Sequence, residues 1–350
     1  MLRSTGQISF TKPGLIETTC ETARELGVSH WTAGRGPDPS HGPGYHLADG
    51  RDPMSEIAAG IHRIEEDLGP RFMAQYVLTG SERTMLVDTG LSQTLDEAIA
   101  PYLASIGLGV EAIDQLLLSH ADVDHIGSNA ALRRQSPRTS FLCGEPDRRW
   151  IESNEAILAE NYRWFEPYGF ALGPEALEFI ARELGGSAPI DLGLQGGETI
   201  RLGPQQRWEV LALPGHTLGH IGLWDAAGRT AIIIDAVLNR GIFDRAGGLL
   251  IPPRIYDLPA YRGTIETIRA LRPELLLTAH YPVMGRREAE AFLDESAAFC
   301  DDAERIARAV AAAGRPNLRA VVEAIDADCG PYPELPQELT AIARSALAAL

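Results

Sequence analysis

The alternation of apolar and polar positions divides the chain into strand-forming and helix-forming regions. Between residues 58 and 145, short apolar runs separated by turns predict strands, and a segment with helical periodicity that ends at Gly107 lies among them. Further strand-like runs fill residues 198–237, and a last apolar run ends at His280. Strands that alternate with helices in this way are typical of an α/β fold.

The first 57 residues follow a different pattern from the rest. After a short helix-like stretch they are crowded with glycine, proline and aspartate, and this composition predicts a mostly irregular arm wrapped on the core. His30, His41 and His46 fall in this arm, and we interpret them as loop residues rather than as a second metal site.

Two regions of helical periodicity lie outside the strand pattern. Residues 147–187 are rich in aromatic side chains and separate strands that would otherwise follow each other, so they predict either a helical pair packed into the core or a lid over a pocket. Residues 286–350 predict a helical C-terminal extension, and its last segment is apolar around much of its circumference. That segment should be buried against the core or against a second copy in a homodimer.

Composition narrows the class of partner. The chain has 350 residues and a formal net charge of −17, and such an acidic surface repels nucleic acid and anionic membranes. Its four cysteines are scattered without CxxC spacing, which argues against a disulfide framework or a cysteine zinc site. Because no apolar run is long enough to span a bilayer or to form a signal peptide, we expect a cytoplasmic protein that acts on a small molecule.

Candidate chemistry is concentrated where the apolar strands end. Five such strands end at a polar residue, namely at Asp88, His120, His216, Asp235 and His280. The ends of strands in one sheet lie along a common edge, so these side chains can converge although they are far apart in sequence. Neutral imidazole and carboxylate groups bind Zn²⁺, Fe²⁺ or Mn²⁺. The placement therefore predicts a metal site.

These strand ends carry five motifs in a recognisable order. The motifs are LVDTG at 86–90, HADVDHIG at 120–127, LPGHTLGH at 213–220, IIIDA at 232–236 and TAHYP at 278–282. Together they resemble the metallo-β-lactamase superfamily over roughly residues 58–285, and HxxxDH followed by PGHTxGH is the specific part of the likeness. The resemblance implies a catalytic domain with a four-layer αβ/βα sandwich, in which metals lie at one edge between two β-sheets.

The resemblance also implies a role for each motif residue. It assigns His120, Asp122 and His216 to a first metal, Asp124, His125 and His280 to a second, and Asp235 to a bridge between them. Asp124 is in addition the expected catalytic residue. Asp88 would order the ligand loops through hydrogen bonds, and His220 would orient a ligand or line the pocket. The implied cofactors are two divalent metal ions. Zinc is the first choice of metal, and iron and manganese are the alternatives.

Position 122 departs from the common family pattern H-x-H-x-D-H, which has a histidine there. In one interpretation Asp122 is simply an oxygen ligand in an otherwise normal hydrolase. In the other, His120, Asp122 and His216 form the set of two histidines and one carboxylate that iron favours, and the protein is an iron-dependent redox enzyme with oxygenase or flavodiiron-like chemistry. An extra anionic ligand should make bound water less acidic and favour harder cations.

The implied reaction is hydrolysis. A metal-bound hydroxide would attack a small-molecule ester, lactone or thioester, and the metals would stabilise the developing oxyanion. If residues 147–187 form a lid, Trp150, Trp164 and Tyr168 are candidates for binding an apolar or aromatic substrate. A non-catalytic binding protein that kept the fold is a further alternative.

Overall fold

Two β-sheets face each other in the computed structural model, which describes residues 54–314 and 317–350. The first sheet has seven strands in sequence order, antiparallel up to the fourth and parallel thereafter. Its strands are β1 (Met54–Ala58), β2 (Ile61–Leu68), β3 (Arg71–Thr79), β4 (Thr84–Val87), β5 (Ile113–Leu118), β6 (Ser140–Gly144) and β7 (Leu192–Leu194). The predictions for His30, His41, His46 and the arm before Met54 lie outside the described residues.

The second sheet has six strands in the order β15-β14-β11-β10-β9-β8. Its members are β8 (Thr199–Gly203), β9 (Gln206–Ala212), β10 (Ile221–Asp225), β11 (Thr230–Ile234), β14 (Leu275–Thr278) and β15 (Met284–Gly285). A separate hairpin is formed by β12 (Ile242–Phe243) and β13 (Leu249–Ile251). All pairs in the second sheet are antiparallel except β11 with β14, which are parallel.

Ten α-helices cover the outer faces of the sheets in the described part of the chain. They are α1 (Ala100–Ser105), α2 (Val123–Ile126), α3 (Asn129–Gln135), α4 (Arg148–Glu152), α5 (Asn154–Glu160), α6 (Pro174–Glu183), α7 (Leu258–Leu271), α8 (Arg286–Ala312), α9 (Leu318–Cys329) and α10 (Leu339–Ala348). A π-helical turn, Leu95–Ile99, precedes α1, and short 3₁₀ turns include Glu145–Asp147, Glu166–Tyr168 and Pro336–Glu338.

The strand pattern explains why the sheets stack. Side chains alternate between the two faces of a strand, so in β4 Met85 and Val87 point into the space between the sheets while Leu86 packs against the helices outside. Leu223 and Ile232 of the second sheet belong to the same central core as Met85 and Val87. Each sheet has a further core between its outer face and the helices that cover it. The result is a four-layer αβ/βα sandwich, which confirms the predicted fold class.

The predicted insert contains α4, α5 and α6 and lies between β6 and β7. Ile151, Ile157 and Phe165 are fully buried in the core outside the first sheet, so much of the insert packs as a structural layer. Trp150 and Trp164 are only partly buried at its surface. Whether the insert also acts as a lid stays a prediction.

The C-terminal extension forms α8, α9 and α10, which pack on the outer face of the second sheet. Leu339 and Ile342 of α10 are completely buried in that core, as the apolar circumference of this segment requires. Within residues 54–314 and 317–350, no helix combines the length and apolar character that a membrane crossing needs.

Candidate metal centre

The predicted ligands come from loops that leave neighbouring strands at one end of the sandwich. His120 lies two residues after β5, and Asp235 and His280 follow β11 and β14 directly or nearly so. Asp122 has an extended backbone and immediately precedes the helical turn α2, which carries Asp124 and His125. The extended residue and the helical turn therefore place side chains 120 and 122 on one side of the centre and 124 and 125 on the other.

The first side contains His120, Asp122 and His216, all buried. The Asp122 Oδ2 atom lies 3.1 Å from His216 Nε2 and 3.4 Å from His120 Nε2. One potential ligand atom from each residue falls within 4.8 Å of the other two. This spacing fits a single cation held by two imidazoles and one carboxylate.

The second side contains Asp124, His125 and His280. His280 Nε2 lies 3.5 Å from Asp124 Oδ2, and His125 Nε2 lies 3.8 Å from Asp124 Oδ1. Asp235 Oδ2 lies 3.2 Å from His280 Nε2 and 3.6 Å from His125 Nε2. His120, His125 and Asp235 form a third possible ligand group, so Asp235 stands between the two sides.

Unsatisfied buried atoms test whether these residues fit a metal. His120 Nε2, His125 Nε2 and Asp235 Oδ1 are buried and have no hydrogen-bond partner. Buried polar atoms in folded proteins almost always have a partner, and the exceptions require an explanation. Here the orphaned atoms belong to the three residues that would join both sides of the site. The nitrogen and oxygen donor set suits Zn²⁺, Fe²⁺ or Mn²⁺.

The Nδ1 atom of each candidate histidine is already bonded outside the centre. His216 Nδ1 lies 2.8 Å from the Arg254 carbonyl oxygen, and His280 Nδ1 lies 2.9 Å from that of Phe72. A carbonyl oxygen only accepts, so Nδ1 carries the proton in both residues. In the neutral ring this leaves the Nε2 lone pair facing the centre, as metal ligation requires.

Asp88 orders the loop that carries the other two histidines. Its Oδ1 atom accepts from the Ser119 backbone N–H at 2.7 Å, and its Oδ2 atom accepts from the Ser119 hydroxyl at 2.7 Å. His125 Nδ1 lies 2.9 Å from Asp88 Oδ2, and Ser119 Oγ lies 2.9 Å from His120 Nδ1. Asp88 itself has a left-handed backbone, with φ of 62°, which aspartate tolerates better than most residues.

His220 does not belong to any of the three ligand groups. Its ring stacks on that of His120, with centroids 4.8 Å apart and planes inclined by 21°. Burial, followed by the proximity of His120 and His216, lowers the pKa of His220 well below its ordinary value. A neutral ring packed on His120 suits the predicted role of orienting a ligand.

The carboxylates dominate the electrostatics of the second side. Burial alone would lower the pKa of His125, but the neighbouring Asp124 and Asp235 outweigh it and raise that pKa well above the ordinary value. Burial likewise opposes ionisation of Asp235, yet His280 and His125 hold its pKa well below the usual range. Carboxylates and imidazoles are thus strongly coupled at this centre, where a bound cation would offset the negative charge of Asp124 and Asp235.

Two glycines in LPGHTLGH allow the His216 loop to pack closely. Gly215 has φ of 136°, and a Cβ atom there would come within 2.5 Å of the Tyr261 backbone. A Cβ atom on Gly219 would lie 2.4 Å from the backbone nitrogen of Asp147. Asp147 instead accepts hydrogen bonds from Gly219 N–H at 2.7 Å and Thr217 Oγ1 at 2.5 Å, so it anchors the loop.

Ile234, just before Asp235, has an uncommon backbone conformation. Its φ of 48° is in the left-handed region, which a β-branched residue rarely adopts. The pairing of β11 with β14 also changes register between Ile232 and Ile234. Strain of this kind is typical of functional sites, and here it turns the chain so that Asp235 enters the centre.

Asp122 has partners that sequence reasoning missed. Arg254 Nη2 donates to Asp122 Oδ2, and Asn161 Nδ2 donates to Asp122 Oδ1 at 3.1 Å. Arg254 also pairs with Glu338, whose Oε2 atom lies 3.2 Å from the arginine Nε. None of Asn161, Arg254 and Glu338 lies in a motif or at the end of an apolar strand, so no local signal marked them.

The predicted aromatic residues gather on the insert side of this network. Trp150 and Trp164 flank Tyr256, with ring centroids 6.0 Å and 5.6 Å from that of the tyrosine. The Tyr256 hydroxyl donates to Asn161 Oδ1 at 2.6 Å, which links the aromatic group to Asp122. Tyr168 lies against Trp164 at the outer edge and is 44% exposed. Tyr256 was not predicted.

Comparison with known proteins identifies the family. The sequence profile of the Metallo-beta-lactamase superfamily matches residues 68–280, which include every predicted ligand. The chain belongs to this superfamily. A probable metallo-hydrolase from Bacillus subtilis (strain 168) is 23% identical over 250 residues, which cover 66% of this chain and 88% of the relative.

Solved structures of the superfamily share the fold. A metallo-beta-lactamase family protein from Thermus thermophilus has a TM-score of 0.64 at 18% identity, covering 84% of this chain and 94% of its own. A beta-lactamase domain protein from Burkholderia ambifaria has a TM-score of 0.62 at 20% identity, covering 87% and 91%. Metallo-beta-lactamase superfamily membership supports divalent metal binding by the histidines and aspartates clustered here.

Proposed function

We propose that this chain is a metal-dependent hydrolase of a small-molecule ester, lactone or thioester, with two divalent ions, zinc first, as cofactors. The convergence of orphaned buried atoms, namely His120 Nε2, His125 Nε2 and Asp235 Oδ1, carries the proposal. When bound, such ions supply Lewis acidity and lower the pKa of water. The superfamily membership supports hydrolysis as the reaction class.

Asp124 is the candidate for proton transfer. Its side chain is 15% exposed, whereas those of Asp122 and Asp235 are 7% and 4% exposed. The more open carboxylate can reach a water molecule that enters from solvent, and it can accept the proton as that water attacks. His280 Nε2 lies 3.5 Å from Asp124 Oδ2 and His125 Nε2 lies 3.8 Å from Asp124 Oδ1, so this carboxylate faces both rings.

The substrate class rests on charge and on the aromatic group. A net charge of −17 disfavours polyanionic substrates, and the partly exposed Trp150, Trp164 and Tyr256 offer apolar faces connected to Asp122 through Asn161. Apolar pocket walls with a few polar groups are typical of small-molecule sites. These features support an uncharged ester, lactone or thioester with an apolar acyl group.

A panel of chromogenic lactones, thioesters, phosphodiesters and sulfate esters tests the proposal. We expect turnover of a lactone or thioester that is lost on chelation and restored by Zn²⁺. In parallel, the metal content of protein purified without added metal is measured by inductively coupled plasma mass spectrometry. Binding of metal without turnover of any substrate would favour a non-catalytic binding role.

An iron-dependent redox enzyme is the second candidate. The set of His120, His216 and Asp122 favours it, because two histidines and one carboxylate form a common iron-binding arrangement. Iron without zinc in the purified protein, together with oxygen uptake, would support this candidate and contradict the hydrolase.

A further inference from the structure

Asp122 Oδ2 lies between the candidate metal position and a buried cation. On one side this oxygen is 3.1 Å from His216 Nε2 and 3.4 Å from His120 Nε2. On the other side it accepts a hydrogen bond from Arg254 Nη2. The carboxylate that replaces a histidine of the common family pattern is therefore already part of a buried ion pair.

Arg254 is fixed from several directions. Only 7% of the residue is exposed, its Nη1 atom donates to Asn161 Oδ1 at 3.0 Å, and its Nε atom lies 3.2 Å from Glu338 Oε2. Its guanidinium carbon lies 5.6 Å from the centroid of the Tyr162 ring. An arginine remains protonated in a protein, so this position carries a permanent positive charge next to the centre.

Charge balance explains why Asp122 and Arg254 belong together. A histidine ligand is neutral, whereas an unpaired Asp122 would add one negative charge to a centre that already contains Asp124 and Asp235. The positive charge of Arg254 cancels that of Asp122, so the pair as a whole is neutral. Asn161 meanwhile holds the second oxygen, Oδ1, which leaves Oδ2 directed toward the two histidines.

We propose that Arg254 is a positioning residue of the metal centre, and that the Asp122–Arg254 ion pair takes the place of a neutral histidine ligand. The pair keeps the first side of the centre at the charge of an all-histidine site while fixing which carboxylate oxygen faces the cation. This inference rests on the proposed function, because it requires a divalent cation between His120 and His216.

The pair removes the basis for one sequence-based expectation. From Asp122 alone we expected a less acidic bound water and a preference for harder cations. With Arg254 in contact, the extra negative charge is compensated, and zinc suits the site as well as it would suit three histidines. The same backbone segment also holds His216, because the Arg254 carbonyl accepts from His216 Nδ1.

A double-mutant cycle separates the effect of the Asp122–Arg254 ion pair from the effects of the two residues taken singly. All proteins carry Glu338→Gln, so that removing the arginine leaves no unpaired charge at position 338. To this parent we add Asp122→His, Arg254→Met, or both. For each protein, zinc affinity is measured by competition with a chromogenic chelator, and the melting temperature is measured in EDTA and with excess Zn²⁺.

The two single substitutions should have different effects on zinc affinity and on the melting temperature. Asp122→His leaves the guanidinium unpaired beside the cation, so zinc affinity should fall at least tenfold. Arg254→Met leaves Asp122 with the cation as its only charged partner. Its melting temperature in EDTA should therefore be lower than that of the parent, and zinc should raise its melting temperature by more than it raises that of the parent. The double variant should recover the zinc affinity of the parent to within about threefold.

Two results would overturn the role of Arg254 while leaving the proposed function intact. The first is that Asp122→His binds zinc with the same affinity whether or not Arg254→Met is also present. The second is that zinc raises the melting temperature of Arg254→Met by no more than it raises that of the parent. A parent and wild type that bind no divalent metal would instead overturn the proposed function itself.

Arg262→Met is the matched control. Arg262 is a partly buried arginine that pairs with Asp301 at 2.7 Å and Glu304 at 3.1 Å, both on α8. The Arg262→Met variant loses ion pairs that are more exposed than that of Arg254 and that contact none of the candidate ligands. Its zinc affinity should equal that of the parent, and a shift as large as that caused by Arg254→Met would count against a specific role for Arg254.

Discussion

Asp88 shows how much of the site depends on one side chain outside the ligand set. Its two carboxylate oxygens accept from the Ser119 backbone, the Ser119 hydroxyl and His125 Nδ1. Both donors of Ser119 and the ring of His125 therefore take their orientation from a single carboxylate. Partners of this kind typically change metal affinity by about 10- to 100-fold when they are mutated.

Asp88→Asn should weaken zinc binding by about 10- to 100-fold while the fold survives, because the amide NH₂ group cannot accept the hydrogen bonds that Oδ2 accepts. Competition with a chelator measures the affinity, and circular dichroism checks the fold. Unchanged affinity would mean that His125 does not depend on Asp88 for its orientation.

His216→Ala should remove the first-side metal and abolish hydrolysis. The loss of one of three ligands leaves Asp122 and His120 as the remaining donors on that side. Elemental analysis should show roughly half of the wild-type metal, since each side is expected to hold one ion.

His62→Gln provides the control for His216→Ala. His62 is also buried, but its ring nitrogens contact the Tyr102 hydroxyl at 3.0 Å and Thr79 Oγ1 at 3.1 Å. Its metal content should match that of the wild type. Full metal and full rate in His216→Ala would contradict the ligand assignment.

At the scale of elements, the strands that end in a motif were predictable and the contacts between distant loops were not. The apolar runs before His120, Asp235 and His280 form β5, β11 and β14, because a strand buried on both faces has a local signature. The hairpin of β12 and β13 has strands of only two and three residues, which are too short to have one. Because this hairpin has no local signature, Arg254, which lies shortly after β13, was not identified from the sequence.

Helix ends show the same division between local and long-range information. Ser128 occupies the N-cap position of α3, where serine is a common residue, but its hydroxyl makes no capping bond there. Instead it donates to the Leu91 carbonyl at 2.6 Å and accepts from Leu95 N–H at 3.2 Å. A serine before a helix is a local feature of the sequence, whereas the partner of its hydroxyl depends on a loop 37 residues away.

Asp147 should make the stability of the protein depend on pH. Burial raises its pKa to about 6, above the value of about 4 for an aspartate in an unfolded chain. The folded state therefore holds the proton more tightly, so this stabilising contribution is present below about pH 4 and is lost as the pH rises to about 6. The loss amounts to about 3 kcal/mol.

Urea unfolding of wild type and Asp147→Asn in EDTA tests this contribution. The amide does not titrate, so the free energy of unfolding of the wild type should fall relative to that of Asp147→Asn between about pH 4 and about pH 7. A difference that stays constant over this range would show that folding does not raise the pKa of Asp147.

At the scale of the whole molecule, the centre joins parts of the chain that pack in different layers. Asp122 follows a strand of the first sheet, Arg254 follows the β12–β13 hairpin, and Glu338 ends the 3₁₀ turn before α10. Asp122 is thus connected through Arg254 and Glu338 to the helices on the far side of the second sheet. The family resemblance predicted the layers, but the motifs contain no information about this connection.

Removing the metal should consequently destabilise the whole fold. A ligand that binds only the folded state at about a thousand times its dissociation constant adds about 4 kcal/mol to the free energy of unfolding. We expect EDTA to lower the melting temperature in calorimetry, and we expect this effect to shrink markedly in His216→Ala. A melting temperature that is independent of EDTA and of added Zn²⁺ would contradict a structural contribution of the metal.

The contact between Glu338 and Arg254 also has a consequence for synthesis on the ribosome. Glu338 is translated 218 residues after His120, the first of the clustered histidines. At about 5–20 residues per second this interval is roughly 10–40 s, during which the nascent chain has no Glu338 to pair with Arg254 beside Asp122. The proposed metal centre is therefore incomplete during that interval, and we expect metal supplied during translation to load the protein less well than metal supplied after release.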